Sequence, residues 1–270
     1  MKKMIVMLAV LSAVAFAPAF APGQDYITKR LDKSPRHHEW TKIKQGKRNV
    51  ETFIVYPEVK DKATAVVIIH EIFGLSDWMR GMADQLAEAG YIAIAPDFLS
   101  GTGPGGGGTK AYKAQGDITK AVQQLPAAQV TADLNAVCDH ALKIPACNGK
   151  LTVGGFCWGG GQTFRFATDR KDLKAGFVFY GSFAQNKDNL AKINCPIYGF
   201  YGENDARINA TIPDSQKLMK ELMKTYEPVT YAGAGHGFMR AGEEPAAKGS
   251  ANAKGRDEAW ERWKAILKKI

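Results

Sequence analysis

A cysteine stands at position 157 between two glycines, in the run Gly155-Phe156-Cys157-Trp158-Gly159. An apolar, strand-like stretch leads into it and a helix-like stretch follows. That arrangement describes a nucleophile elbow, in which the chain turns from strand to helix so sharply that the central side chain stands above the sheet. A β-carbon at 155 or 159 would collide within such a turn, so glycine is needed at both. The helix N-terminus behind the sulfur favours negative charge and supplies backbone N–H groups for an oxyanion. A structural cysteine in a glycine-rich turn is the plainer alternative, but it leaves the strand–turn–helix coincidence without a cause.

A nucleophile needs a base, and the base needs a group that orients it. His236 lies in Ala234-Gly235-His236-Gly237, where small neighbours leave its ring free to reach the sulfur. Asp205 lies between the two in sequence, in Gly202-Glu203-Asn204-Asp205, and is the expected acid. Glu203, in the same loop, is its rival. The order nucleophile, acid, histidine is that of the α/β-hydrolase triad. Of the other histidines, His70 ends a strand and His140 lies in a helix, where core or surface roles suffice. His37, His38 and Glu39 are adjacent, and neighbours on a strand point to opposite faces, so a surface turn or edge strand is expected there rather than a metal site.

The loop His70-Glu71-Ile72-Phe73-Gly74 follows a buried strand. In this fold such a loop supplies a second oxyanion N–H, expected here from Ile72 beside that of Trp158. Glu71 would then aim a carboxylate into the site; the alternative is a cap on the helix that starts near Ser76.

Positioning these groups requires a particular set of elements. Strands are expected at 50–56, 64–70, 91–95, 151–156, 175–180, 196–201 and near 228–231. Helices are expected at 76–89, 130–142, 160–168, 215–224 and 256–267, with Ser76 capping the first and Gly90 ending it. Strands alternating with crossover helices imply an α/β-hydrolase fold: a mostly parallel sheet with helices on both faces. Residues 101–108 (GTGPGGGG) interrupt the rhythm and leave a central strand's C-terminal end, where ligands bind in such sheets. They read either as an active-site lid or as a surface insertion.

Lys2 and Lys3 precede an apolar run that ends in small residues, the pattern of a cleaved secretory signal over 1–19. A polar segment (20–49) and the hydrolase domain (50–270) follow, and the expected location is secreted or periplasmic. A hydrophobic content of 45% is ample for one large core, and no later segment is long and apolar enough to serve as a stable membrane anchor. The formal charge is +9, but the basic residues are scattered and no nucleic-acid motif accompanies them, so no nucleic-acid partner is expected. No two of the four cysteines form CxxC, so neither a redox dithiol nor a c-type haem site is indicated. In an oxidising compartment Cys138 and Cys147, nine positions apart, are the natural candidates for a disulfide. No cofactor and no metal is expected, and the protein is read as a monomer acting on a small-molecule ester or lactone.

From about Thr41 onward the sequence resembles the dienelactone hydrolases, or carboxymethylenebutenolidases. HEIFG (70–74), PDF (96–98), GFCWGG (155–160), GENDARI (202–208) and AGHGFMR (234–240) carry the resemblance. It implies a Cys157–His236–Asp205 triad, a resting thiol kept neutral by contact with Glu71, and Arg240 as a ligand for a substrate carboxylate. The family's second carboxylate-binding arginine has no counterpart in Phe98-Leu99-Ser100-Gly101, which leaves Arg240 as the single expected cation. A general carboxylesterase and a non-catalytic binding protein on the same fold are the competing readings, and release of nitrophenol from an activated ester separates the latter.

Overall fold

The computed structural model describes residues 25–182 and 187–270; the expected signal at 1–19 lies outside them. In chain order the elements are α1 (Asp25–Asp32), β1 (His38–Gln45), β2 (Arg48–Val55), β3 (Ala63–Ile69), α2 (Asp77–Glu88), β4 (Ile92–Pro96), α3 (Gln115–Gln123), α4 (Ala127–Lys143) and β5 (Cys147–Phe156). The second half contributes α5 (Trp158–Asp169), β6 (Ala175–Phe179), α6 (Lys187–Leu190), β7 (Ile197–Gly202), α7 (Ala206–Asn209), α8 (Ile212–Glu221), β8 (Tyr226–Tyr231), α9 (Phe238–Ala241) and α10 (Ala251–Leu267).

The strands form one sheet in the order β1-β2-β4-β3-β5-β6-β7-β8. β1, β2 and β4 pair antiparallel, and every pair from β4 to β8 is parallel. The pleat divides the core in two. Along β3, Ala65, Val67 and Ile69 face one apolar layer with Leu134 and Val137 of α4 and Phe164 of α5. Val66 and Ile68 face the other, with Met79 and Met82 of α2 and Trp263 of α10. Because strands buried on both faces cannot alternate polar and apolar residues, β3 reads as an unbroken apolar run.

Several departures from the sequence expectations have physical causes. The polar N-terminal segment, set apart from the 50–270 domain in the sequence expectations, joins its sheet: β1 is the edge strand, one of the two readings of His37 to Glu39, and α1 buries Ile27 and Leu31. His38 and Glu39 lie on that edge. Ser76 does cap α2, accepting from the Met79 N–H, and α10 begins at a similar cap, Ser250. The glycine-rich stretch leads through short turns to α3, which buries only Val122 and so has almost no apolar face to betray it. Asp97 anchors this stretch, accepting from the Thr109 N–H (2.7 Å) and hydroxyl (2.8 Å).

The Cys138–Cys147 disulfide is not formed; all four cysteines are free. Cys138 points from α4 into the core, fully buried, and there burial raises the thiol far above its usual range. Cys147 opens β5, where its sulfur accepts from the Gly149 N–H (3.4 Å). Cys195 is buried too. Thiol labelling without reductant is therefore expected to modify one cysteine in the native protein and four after unfolding. Two labelled cysteines after unfolding would restore the disulfide.

Candidate active site

The elbow lies at the junction of β5 and α5, in the middle of the sheet. Cys157 has φ 54° and ψ −114°, a region that residues with a side chain rarely adopt. Such strain persists only where the surroundings fix it. Here the Cys157 N–H donates to Phe179 O (3.0 Å), and its carbonyl accepts from the Gly160 N–H (3.0 Å). A β-carbon on Gly155 would come within 2.1 Å of Gly159 O, and one on Gly159 within 2.3 Å of Ile69 O. Both glycines are needed because backbone crosses backbone at that point.

Two loops at the C-terminal ends of β7 and β8 bring the partners. The Asn204 N–H donates to Ala234 O (2.8 Å), tying the loop that carries Asp205 to the loop that carries His236. His236 Nε2 lies 3.1 Å from Cys157 Sγ, and its Nδ1 lies 2.5 Å from Asp205 Oδ2. Asp205 also accepts from the Ile208 N–H (3.5 Å), which caps α7 and holds the carboxylate still. Glu203, the rival acid, turns outward to accept from the Gly233 N–H (2.7 Å) and is exposed.

Backbone N–H groups of Trp158 and Ile72 both point at the sulfur and draw the Cys157 pKa down. Burial and, second to it, the Glu71 carboxylate outweigh them and push the thiol up to about 11. The resting sulfur is thus protonated at neutral pH.

Glu71 is 2% exposed and makes no hydrogen bond to the thiol. It accepts instead from Arg240 Nε (2.9 Å) and from the Tyr180 hydroxyl (3.4 Å). Burial lifts the Glu71 carboxyl above its ordinary range, and Arg240 offsets only part of that. The expected contact between Glu71 and Cys157 is therefore replaced by an ion pair, because α9 sets the Arg240 guanidinium closer to the carboxylate, over the ring of Phe73 (5.0 Å). Arg240 is consequently engaged, and it is absent from the lining of the cavity that opens on Cys157. That cavity encloses about 570 Å³. Ile72, Cys157, Trp158 and His236 line it together with residues the sequence expectations omitted, among them Tyr180. Tyr180 follows β6 at the C-terminal edge beside the elbow strand, and that position alone could have singled it out. The turn at 101–108 does not line the cavity; of the stretch after β4, Gln123 does.

The dienelactone hydrolase family model matches residues 50–270. This chain belongs to the dienelactone hydrolase family. A provisionally named carboxymethylenebutenolidase of Escherichia coli (strain K12) is 29% identical over 271 residues, 92% of each chain. A carboxymethylenebutenolidase homolog of Mus musculus is 30% identical over 193 residues, 68% of this chain and 74% of that one. Among solved structures, a provisionally named dienelactone hydrolase of Klebsiella pneumoniae superposes with a TM-score of 0.74 at 28% identity, covering 87% of this chain and 99% of that one. The sheet order and the elbow are thus those of an α/β-hydrolase fold, and the chain is a hydrolase of this family.

The Glu71–Arg240 pair sets the direction in which loss of the Glu71 charge moves the thiol. In Glu71→Gln the charge that opposes thiolate is gone, while Arg240 keeps its own. The thiol pKa should fall below about 11, and since the thiolate is the form present above the pKa, the alkylation profile should shift to lower pH. At neutral pH iodoacetamide should react about tenfold faster for each unit of that fall. Turnover of an uncharged ester should drop, because Glu71 holds Arg240 and Tyr180 against the loop bearing the Ile72 amide. Slower alkylation in this variant would mean that Glu71 promotes ionisation instead.

Proposed function

We propose that this protein hydrolyses small esters or lactones through a thioester on Cys157, as an exported, monomeric enzyme that needs no cofactor. The observation that carries the reading is the contact series from Cys157 Sγ to His236 Nε2 (3.1 Å) and from His236 Nδ1 to Asp205 Oδ2 (2.5 Å), set on the elbow.

In the first half-reaction Cys157 Sγ attacks the carbonyl carbon while His236 Nε2 takes the thiol proton. Proton transfer to histidine during attack suits a thiol that rests neutral, and it avoids a standing thiolate that oxidants would modify. The Ile72 and Trp158 amides receive the negative oxygen, whose charge exists only in the transition state and intermediate. As the C–O bond breaks, His236 returns the proton to the leaving alkoxide. Water then attacks the thioester, His236 accepts its proton, and the sulfur departs and is reprotonated as the acid is released. Asp205 keeps the Nδ1 proton in place and stabilises the imidazolium that forms twice in each cycle.

An activated nitrophenyl ester tests this directly: the reading expects an initial release of nitrophenol equal to the enzyme concentration, followed by a slower steady rate. A burst that survives blocking of Cys157 with iodoacetamide would contradict it. The names of the relatives support comparing a dienelactone with simple aryl esters as substrates. Export is tested by the N-terminus of the protein recovered from cells, expected to begin after residue 19.

A further inference from the structure

A half-buried arginine in a folded protein is normally tied down, because an unpaired guanidinium there loses its hydration without recompense. Eight of the ten arginines in this sequence hold a carboxylate or a backbone carbonyl. The other two are Arg165 and Arg207, which make no hydrogen bond or ion pair among the described residues. Both line the cavity that opens on Cys157. Among the described residues, no Asp or Glu lines it with them.

The two sit on different elements. Arg165 is eight residues along α5 from Cys157, about 12 Å of helix rise, and helical side chains lean back toward the N-terminus, here toward the sulfur. Arg207 is two residues past Asp205, on α7, and is exposed. Its part rests on its place in the cavity wall and on its charge, which acts on the Cys157 sulfur, while the half-buried Arg165 is the one left without recompense. Arg165 Nε is buried with no partner. One turn nearer the sulfur, the Gln162 side-chain carbonyl oxygen is also buried without a partner, on the same wall. Asp169 attracts Arg165 from outside the cavity without pairing with it.

We infer that Arg165 and Arg207 form an anion subsite that selects esters or lactones bearing a carboxylate several bonds from the scissile carbonyl. It is separate from Arg240, which Glu71 occupies. Planar guanidinium forks suit a carboxylate because each can donate two parallel hydrogen bonds to it. Among the described residues the walls carry no carboxylate, and Asp169 acts on Arg165 only from outside. The subsite therefore keeps positive charge that an anionic ligand completes and that repels a cationic one. Gln162 is placed to accept from a hydroxyl of the same ligand. The inference rests on reading Cys157 as the nucleophile, and its test is arranged to keep the two apart.

The pentanoate and the hemiglutarate esters of 4-nitrophenol have acyl chains of the same length, and the second ends in a carboxylate. The ratio of their kcat/KM values, hemiglutarate over pentanoate, is measured in the native enzyme and in Arg165→Gln, Arg207→Gln and the double variant. The ratio is expected to exceed one in the native enzyme and to fall at least about tenfold in the double variant, as loss of charge-assisted hydrogen bonds implies. Arg165→Lys and Arg207→Lys, which keep the charge and lose the fork, should fall in between. A ratio that the substitutions leave unchanged, with both esters hydrolysed, overturns the subsite and leaves the hydrolase reading intact. A second readout needs no turnover: glutarate should slow alkylation of Cys157 by iodoacetamide in the native protein and require at least about tenfold more glutarate to do so in the double variant. Equal protection in both overturns the subsite even if no ester is cleaved, and hydrolysis of neither ester by the native enzyme counts against the hydrolase reading alone.

Discussion

Cys157→Ala is expected to reduce hydrolysis of an activated aryl ester by about four to six orders of magnitude, the scale of a lost nucleophile, while the protein stays folded. The side chain contributes little to the core: it is partly exposed at the mouth of the cavity, and the elbow is held by backbone contacts to Phe179 O and Gly160 N. Alanine accepts the elbow's positive φ no worse than cysteine does, so a large loss of stability is not anticipated. The serine variant is the finer probe. Its hydroxyl is far less acidic than a thiol, and His236 and the two amides are spaced for sulfur, so activity should fall by at least about a hundredfold. Rates within a few-fold of native for Cys157→Ala, with circular dichroism unchanged, would remove the nucleophile from the account.

The second large effect belongs to Asp205. Asp205→Asn is expected to lower kcat about a thousandfold or more, because an amide that presents its N–H to His236 Nδ1 imposes the wrong tautomer and leaves the imidazolium without its counter-charge. Glu203→Gln is the control. Glu203 is exposed and accepts only from the Gly233 N–H, so its loss should change kcat less than about threefold, the effect of a weak surface hydrogen bond. If the two variants exchanged these outcomes, the acid would be Glu203 and the loop would have to rearrange during turnover. Steady-state kinetics on one aryl ester at a fixed pH decides it.

The elements that build the sheet were legible because their signals are local. β3 and the strand into Cys157 are unbroken apolar runs between turn residues, and Gly155 and Gly159 flank the nucleophile for a steric reason that spacing alone conveys. Chain order supplied the acid and the histidine, and the structure brings Cys157, His236 and Asp205 into one line of contacts. The edge strand β1 was harder to read: an edge exposed on one side tolerates His38, Lys42 and Lys44, so its apolar alternation is nearly erased. α3 was invisible for a similar reason, with one buried residue in nine positions.

Pairing across loops is where sequence reasoning ran out. Nothing in the spacing of Glu71 and Arg240, 169 positions apart, reveals that they bond each other. Nor does sequence show that Cys138 and Cys147, both buried in the same apolar layer, stay unpaired. Arg165 and Arg207 are also unremarkable as letters; only the absence of a partner among the described residues, and their shared cavity, distinguishes them from the eight arginines that are tied down.

The central claim is that acyl transfer passes through the sulfur of Cys157, and the acyl-enzyme itself is its most direct test. Native enzyme mixed with excess nitrophenyl acetate is quenched in acid within the burst, and its intact mass and peptide masses are measured. The account predicts a gain of one acetyl group, located on the peptide containing Cys157, removed by neutral hydroxylamine as a thioester is, and absent from Cys157→Ala. An acetyl group on a hydroxyl or amine elsewhere, or nitrophenol released through the burst with no adduct on Cys157, would contradict it.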